Sequence, residues 1–216
     1  MAKKSVINME ISELLEENMG NYSFNTNLFR AFPDIRDGLK PVSRKIIYSM
    51  KDAGLFSNKP HKKVATVVGT ALSRYYPHGD ASITDALVKM AQDFYMNVPI
   101  VDGMGNFGSI SGDNAAAMRY IECRMTKYCE DFLTDIEKNA IDWKDNYDQT
   151  LKEPITLPVK YPNLLINGSY GIGQAYISSI PPHNFSEVID LVIKVISNPD
   201  LRIDEIKGMI TPDYPT

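Results

Sequence analysis

The apolar pattern of the chain begins in residues 5–20, where apolar side chains stand at helical spacing among acidic ones. The positions concerned are Ile7, Ile11, Leu14 and Leu15. Spacings of three and four residues predict an amphipathic helix or a docking arm. We assign residues 1–28 to this helical arm.

Prolines and glycines mark the boundaries of three further helices. A proline suited to a first helical turn predicts a helix over 41–54. A second helix is predicted over 64–75 and a third over 81–95, with Asp80 or Ser82 as the N-cap of the third. Two helices joined by a tight glycine-containing turn, with basic residues before the first, are typical of a helix-turn-helix. Many helical hairpins bind nothing, so this pattern alone leaves DNA binding open.

Beyond the third helix the pattern becomes mixed. A strand is predicted over 98–101, and residues 113–139 predict a short turn followed by a helix. Prolines are frequent from residue 141 onward, between short β-like runs such as "NLLING", which predicts a strand-rich second unit beginning between 148 and 158. A last helix is predicted at "SEVIDLVIKVI", with Ser186 as its cap.

Composition limits the classes of protein that the chain can belong to. Apolar runs stay well below the roughly 20 residues that a membrane span needs, and the N-terminal residues lack the apolar core of a signal peptide. We therefore expect an intracellular, soluble protein. Its two cysteines, Cys123 and Cys129, are too few for a disulfide framework or a four-ligand zinc site. We expect both thiols to be reduced bystanders and the chain to hold no metal.

The charge of the chain is unevenly distributed. The net charge is −4, yet residues 30–75 hold ten Lys and Arg against three Asp, a balance of +7, while residues 1–29 carry −2 and residues 76–216 carry −9. This basic block also contains aromatic residues, namely Tyr48, Phe56, Tyr75 and Tyr76. Such a block suits a polyanion such as the DNA backbone. A solvated helix face beside acidic neighbours explains the composition equally well.

The stretch "VPIVDGMGNFGS" has the spacing of a dinucleotide-binding turn, with Gly103, Gly105 and Gly108 after a short apolar run. That fingerprint requires a helix to start inside the turn, so that its N–H groups meet the pyrophosphate. Here "SISGDN" follows Gly108, and Glu122, at the distance of the ribose-binding acid, falls inside or beside a predicted helix. A kinase glycine loop fails as well, because no V-A-I-K-like strand follows. The glycines therefore predict a tight irregular loop.

Four motifs in order resemble those of one known family: "RAFPDIRDGLKPVSRKIIYSM", "KKVATVVGTALSRYYPHGD", "VDGMGNFGSISGDNAAAMRYIE" and "NLLINGSYGIGQAYISSIPPHN". Their sequence is similar to that of the A subunit of bacterial type IIA topoisomerases, which comprise DNA gyrase and topoisomerase IV. The resemblance runs from about Arg30 to Thr216. It implies an α+β fold, with a winged-helix DNA-gate domain over 29–155 and the start of an α/β tower domain over 156–216.

The same resemblance implies an activity and its partners. The protein would cleave and rejoin double-stranded DNA through a reversible phosphotyrosine link, during ATP-dependent duplex passage in the bacterial cytoplasm, at the nucleoid. It would act only as a homodimer within an A2B2 heterotetramer, because the B subunit holds Mg²⁺ and ATP, and only with the rest of the A subunit. Two alternatives stay open at this point: a helix-turn-helix protein that binds DNA without cutting it, and a fragment that docks a B subunit.

The resemblance also implies site residues. Tyr120 in "AAAMRYIE" takes the position of the nucleophile, and Arg119 that of an arginine on the scissile phosphate. A phenol with a pKa of about 10 needs nearby cations to react at neutral pH. Because neighbours in a strand point apart, we expect irregular backbone at this pair. The remaining implied catalytic residues are Arg30, Lys40 and His78, and the implied DNA contacts are Lys40, Arg44, Lys45 and Ile172.

Two of these residues have simpler alternative roles. His78 would lie near the phosphotyrosine and relay a proton, since a histidine is labile near neutral pH; it could instead be a turn residue beside a helix. Ile172 would wedge between base pairs and bend the DNA; it could instead be a core isoleucine.

The sequence departs from the family in three places. Tyr76-Pro77-His78 replaces a His-Pro-His, and the segment "NYSFNTNLF" replaces an apolar sequence before the gate. Ala81 stands where the family has a serine, while Asp85 is kept. In the family, that serine and the acid anchor the water shell of a quinolone-bound magnesium ion. We therefore expect a weakened quinolone response.

Overall fold

The computed structural model describes residues 10–215, and they form a mixture of helices and antiparallel strand pairs. The helices are α1 (Ile11–Thr26), α2 (Pro41–Asp52), α3 (Val64–Arg74), α4 (Asp80–Met90), α5 (Lys127–Asp131), α6 (Asn163–Asn167), α7 (Phe185–Ser197) and α8 (Ile203–Ile206). The strands are β1 (Lys62–Lys63), β2 (Val101–Met104), β3 (Glu122–Met125), β4 (Trp143–Asp145), β5 (Lys152–Pro154), β6 (Ser169–Ile172) and β7 (Ile177–Ile180). The predicted α+β class is confirmed at this level. Every helix in the described range is too short or too polar to cross a lipid bilayer.

Helix α1 confirms the predicted helix of the arm, displaced along the chain. It starts at Ile11 and runs six residues past the predicted end at residue 20, into a π-helical turn, Asn27–Ala31. Ile7 lies outside the described residues. None of the α1 side chains is buried. Gly20 does not end the helix, because it lacks the positive φ of a glycine that caps a helix C-terminus.

Helices α2, α3 and α4 pack on one another and confirm the three helices predicted after the arm. In α3 the buried residues recur at the spacing of one helical face, at Val64, Val67, Val68 and Ala71. The N-cap prediction for α4 is wrong, because Gly79 occupies that position and Asp80 stands in the first turn. The helix also ends at Met90 and not at residue 95, since the Met90 carbonyl accepts from Ile100 N–H at 3.1 Å.

Strands β1, β3 and β2, in that spatial order, form a small antiparallel sheet. The predicted strand over 98–101 is displaced, because β2 begins at Val101. The predicted helix over 113–139 is wrong: β3 occupies part of it, and α5 is only five residues long. Burial alternates from Ile121 through β3, with Ile121, Cys123 and Met125 buried, and a period of two is the signature of a strand.

Two β-hairpins follow in the proline-rich part of the chain. Strands β4 and β5 pair together, and the ring of Trp143 meets Tyr48 of α2 edge-on, with centroids 5.9 Å apart. Strands β6 and β7 form the second hairpin. Helix α7 follows, and its predicted cap is wrong by two residues: the Asn184 side chain accepts from the N–H groups of Ser186 and Glu187, at 3.0 and 3.3 Å.

The loop before α2 connects the first part of the chain to the later part. The Asp37 carboxylate accepts from Leu157 N–H at 3.0 Å, and the backbone carbonyl of Asp37 accepts from the Asn163 side-chain amide at 3.0 Å. Gly38 has φ +67°, and a Cβ there would overlap the backbone nitrogen of Leu164. Only glycine fits such a close approach, so these contacts hold residues 157–164, which include the start of α6, against the loop before α2.

Candidate active site

Tyr120 ends a turn just before β3. The first two N–H groups of α3 donate to the carbonyls of Ile121 and Met118, at 3.0 and 3.2 Å. The Tyr120 side chain is nevertheless 64% exposed. The fold therefore holds the backbone on both sides of Tyr120 and leaves the phenol in solvent.

Arg119 lies over the ring of Tyr120. Its guanidinium carbon is 4.6 Å from the ring centroid, within the range of a cation–π contact. Residues 118–120 form a turn, so the two neighbours need not point apart as they would in a strand. The expected irregular backbone is confirmed, and it brings a cation onto the predicted nucleophile. Lys63, which the sequence did not single out, adds its ammonium group 3.4 Å from the Tyr120 carbonyl.

The glycine loop after β2 folds against itself and not around an open cradle. A Cβ at Gly103 would lie 2.6 Å from the Phe107 ring, and one at Gly108 would lie 2.8 Å from the Asp113 carbonyl. The next helix along the chain is α5, beyond β3. The loop therefore does not open a helix as a dinucleotide turn does, which confirms the irregular loop predicted from its glycines.

His78 lies on the exposed connection between α3 and α4. Its ring meets the ring of Tyr76 edge-on, with centroids 4.9 Å apart. The Tyr76 hydroxyl is in turn 3.0 Å from the Ser82 hydroxyl on α4. Tyr76, at a position where the resemblance implies a histidine, thus packs against His78. Ala81 and Asp85 are both exposed on α4, one helical turn apart.

A groove of about 740 Å³ runs between α4, the start of α2 and the β6–β7 hairpin. Four of the predicted site residues line it: Arg30, Lys40, Asp85 and Ile172. Ile172 is 71% exposed, so it is not a core isoleucine. Tyr120, Arg119 and His78 are not among the lining residues. Within one chain the predicted site is therefore divided into a groove and a separate tyrosine turn.

Lys40 links the groove to the hairpin. Its ammonium group donates to the Tyr170 carbonyl on β6, at 2.5 Å. Burial, together with the nearby charge of Lys89, lowers the pKa of Lys40. Lys40 is thus held in place, beside the exposed Ile172.

Arg44 is buried and Lys45 is partly buried. Arg44 is 7% exposed, and its guanidinium donates two hydrogen bonds to the fully buried carboxylate of Asp37, at 2.6 and 2.9 Å. Lys45 lies 3.2 Å from the Glu153 carboxylate and donates to the Tyr75 carbonyl. Burial lowers the pKa of Lys45, and Glu153 partly offsets that shift. The structure thus gives both residues acidic partners within the chain, and their role as DNA contacts stays a prediction.

Sequence reasoning missed Asp37 and Asn27 as organising residues. Asp37 is fully buried, and Asn27 is 8% exposed. The only signal for Asn27 was its place in a segment that departs from the apolar family sequence. A polar residue in a normally apolar run can be sustained inside a protein only by partners that the sequence does not reveal.

The fold and these residues together define the class of the protein. Residues 30–216 match the family of DNA gyrase and topoisomerase IV A subunits. The chain therefore belongs to this family.

Individual relatives agree with this assignment. The chain is 51% identical over 214 residues to the DNA gyrase A subunit of Helicobacter pylori, covering 99% of this chain and 26% of that protein. It is 50% identical over 212 residues to that of Thermotoga maritima, covering 98% and 26%, and 50% identical over 207 residues to that of Staphylococcus epidermidis, covering 95% and 23%. The chain spans about a quarter of the length of these relatives.

Proposed function

We propose that this chain carries the DNA-cleaving part of the A subunit of a type IIA topoisomerase. Such an enzyme breaks both strands of a duplex, holds the ends through phosphotyrosine links and rejoins them during ATP-dependent duplex passage. The observation that carries the proposal is the exposed phenol of Tyr120 beneath the Arg119 guanidinium. That pair lies inside the matched range, 30–216.

The architecture supports a winged-helix DNA gate over residues 29–155. Helices α2, α3 and α4 pack together beside the antiparallel sheet β1-β3-β2, and a helix-turn-helix next to a small sheet is the form expected of such a gate. We assign residues 156–216 to the start of an α/β tower domain and residues 1–28 to the arm.

The proposed chemistry is reversible phosphoryl transfer to a phenol. The Tyr120 oxygen attacks the scissile phosphorus, and a P–O bond to the tyrosine forms as the bond from phosphorus to the deoxyribose oxygen breaks. The phenolic proton is lost, with His78 as the relay, and the departing oxygen gains a proton. Attack by the freed hydroxyl reverses both steps and restores the strand. Arg119 stabilises the extra negative charge on the phosphoryl oxygens during the transfer.

The proposed site is completed by a second copy of the protein. Arg30 and Lys40 line a groove that does not include Tyr120, which supports an arrangement in which Tyr120 of one chain works with the basic residues of its partner. We propose a homodimer bound to double-stranded DNA and assembled with two B subunits. Ile172, exposed at the groove, inserts between base pairs and bends the duplex.

We assign the binding of Mg²⁺ and ATP to the B subunit. Across residues 10–215, no three His, Cys, Asp or Glu side chains lie together as a metal ion would need, so this part of the chain does not fit as a magnesium site by itself. When bound, the metal would polarise phosphoryl oxygens.

The experiment that tests the proposal replaces Tyr120 with phenylalanine in the complete A subunit, assembled with its B subunit. Wild type should form a covalent protein–DNA complex that detergent traps, and Tyr120→Phe should form none. DNA binding, measured by gel shift, should survive, because the substitution removes one hydroxyl and no cation.

Tyr147→Phe is the matched control. Tyr147 is 49% exposed and does not line the groove, so this variant should cleave as wild type does. Covalent complex formation by Tyr120→Phe would refute the assignment of the nucleophile. A wild-type assembly that binds DNA and never cleaves it would instead identify a non-catalytic DNA-binding protein.

A further inference from the structure

Asn27 connects the arm to the hairpin that carries Ile172. Its side-chain amide donates to the Gln174 carbonyl at 3.0 Å, and its side-chain oxygen accepts from Gln174 N–H at 2.7 Å. The Asn27 side-chain amide thus forms paired hydrogen bonds with the backbone of Gln174, as the backbone of a neighbouring strand would. Both bonds go to backbone atoms of Gln174, so the identity of that side chain does not matter to them.

The same residue closes the π-helical turn that carries Arg30. The Asn27 carbonyl accepts from Phe32 N–H at 3.0 Å, a bond that spans five residues. Short π-helical segments are frequent at functional sites. Arg30 stands three residues after Asn27, in the last turn of this segment. One residue therefore touches both the support of Arg30 and the tip of the hairpin.

The hairpin tip is shaped to accept this contact. A Cβ at Gly173 would overlap the Asn27 side-chain oxygen, and one at Gly171 would overlap the Ala31 carbonyl. Ala175, in the same tip, has φ +63°, a conformation that is unfavourable for a residue with a Cβ. A tip strained in this way needs an external support, and Asn27 supplies one.

We propose that Asn27 is a positioning residue that fixes the Ile172 hairpin relative to Arg30, so that the bend and the phosphate contact fall at a set spacing on one duplex. This inference rests on the proposed function. Asn27 lies in the segment "NYSFNTNLF", before residues 30–216 that match the family. The contact is therefore not part of what that family match shows.

The contact itself is tested without DNA, by hydrogen exchange in the complete A subunit. In Asn27→Ala the Gln174 amide should exchange about tenfold faster, as expected for the loss of its bond together with the paired one. Asn27→Asp keeps the shape and the acceptor but loses the donor, so the exchange rate of the Gln174 amide should increase by a smaller factor. This variant also covers the case in which Asn27→Ala does not fold. Asn25→Ala, at an exposed asparagine of α1, and Gln174→Ala should both exchange as wild type does.

The positioning role is tested by DNA bending. A short duplex with a fluorophore at each end reports the bend by energy transfer, and its affinity is measured by titration. Asn27→Ala should lower the transfer toward the value for Ile172→Ala while changing the affinity by less than about twofold, because no phosphate contact is lost. The double variant should bend no less than Ile172→Ala alone, since both substitutions act on one element.

The outcomes separate this inference from the proposed function. Unchanged exchange at Gln174 in both Asn27 variants would overturn the contact. Faster exchange with unchanged bending would overturn the positioning role. A wild-type protein that neither binds nor bends the duplex would overturn the proposed function, and the role of Asn27 with it.

Discussion

Replacing Arg44 with methionine would leave the Asp37 carboxylate without its cation in the interior of the protein. Asp37 is fully buried and Arg44 is 7% exposed. Two hydrogen bonds join them, and Arg44 also donates to the Leu39 carbonyl at 3.0 Å. Methionine fills similar space but donates nothing, so the change isolates the loss of charge and hydrogen bonds.

The magnitude follows from the burial of the pair. Removing one partner of a buried ion pair costs about 3–5 kcal/mol, because the other charge stays uncompensated in a medium of low polarity. Asp37 keeps two backbone donors, Leu39 N–H and Leu157 N–H, each at 3.0 Å. These bonds soften the loss, so we expect a value near the lower end, about 3 kcal/mol. Arg36→Met is the matched control: its pair with Asp34 is 57% and 27% exposed, and such a pair contributes at most about 1 kcal/mol.

Urea unfolding, followed by the fluorescence of the single tryptophan, Trp143, measures both variants. With a slope of about 2–3 kcal/mol per molar urea, Arg44→Met should lower the midpoint by about 1–1.5 M and Arg36→Met by less than about 0.5 M. A midpoint for Arg44→Met within about 0.5 M of wild type would refute the reasoning. Weaker DNA binding together with an unchanged midpoint would instead show that Arg44 is the DNA contact that its position in the family implies.

Three further predictions concern a glycine, a drug contact and a thiol. Gly38→Ala should lower the free energy of unfolding in urea by more than about 3 kcal/mol, because overpacking adds to the cost of a positive φ. Gly54→Ala, at φ +68° in open surroundings, should lower it by only about 1–2 kcal/mol. Equal losses in the two variants would contradict this. Ala81→Ser, which restores the missing hydroxyl, should increase quinolone-stabilised DNA cleavage by the complete enzyme, and an unchanged drug response would count against it. Burial raises the pKa of Cys123 from 9.0 to about 12. A thiol reagent at pH 8 should therefore label Cys123 only after unfolding, and rapid labelling of the native protein would contradict this. The free energy that the buried, protonated thiol contributes to stability is fully present below pH 9 and should be lost as the pH rises to about 12.

Local patterns predicted the helices well and the region around Tyr120 poorly. Helices α2 and α3 follow their proline and apolar signals closely. The prediction of a helix over 113–139 failed because apolar and small residues recur there often enough to suit a helix. The buried residues Ile121, Cys123 and Met125 instead follow the period of a strand. Strand β3 exists because β1 and β2 flank it on both sides, and pairing with distant strands overrides local preference.

The organising polar residues could not be predicted, because their partners are backbone groups far along the chain. Asn27 bonds to a residue 147 positions away, and Asp37 to one 120 positions away. A backbone N–H or carbonyl is the same for nearly every residue type, so no second sequence signal marks the partner. By contrast, Tyr120 and Arg119 could be proposed from the sequence because the resemblance depends on side chains.

The charge count shows how far composition can mislead about a DNA-binding surface. Six of the ten cations of the basic block pair with carboxylates, namely Arg36, Arg44, Lys45, Lys51, Lys63 and Arg74. Three of those partners, Glu122, Glu137 and Glu153, come from outside the block, which reduces its balance from +7 to 7 − 3 = +4. Within residues 10–215, the cations of the block that lack an acidic partner are Arg30, Lys40, Lys59 and Lys62. Because each phosphate contact adds about 0.9 to the salt dependence of DNA affinity, this block should contribute a slope set by about four contacts and not by ten.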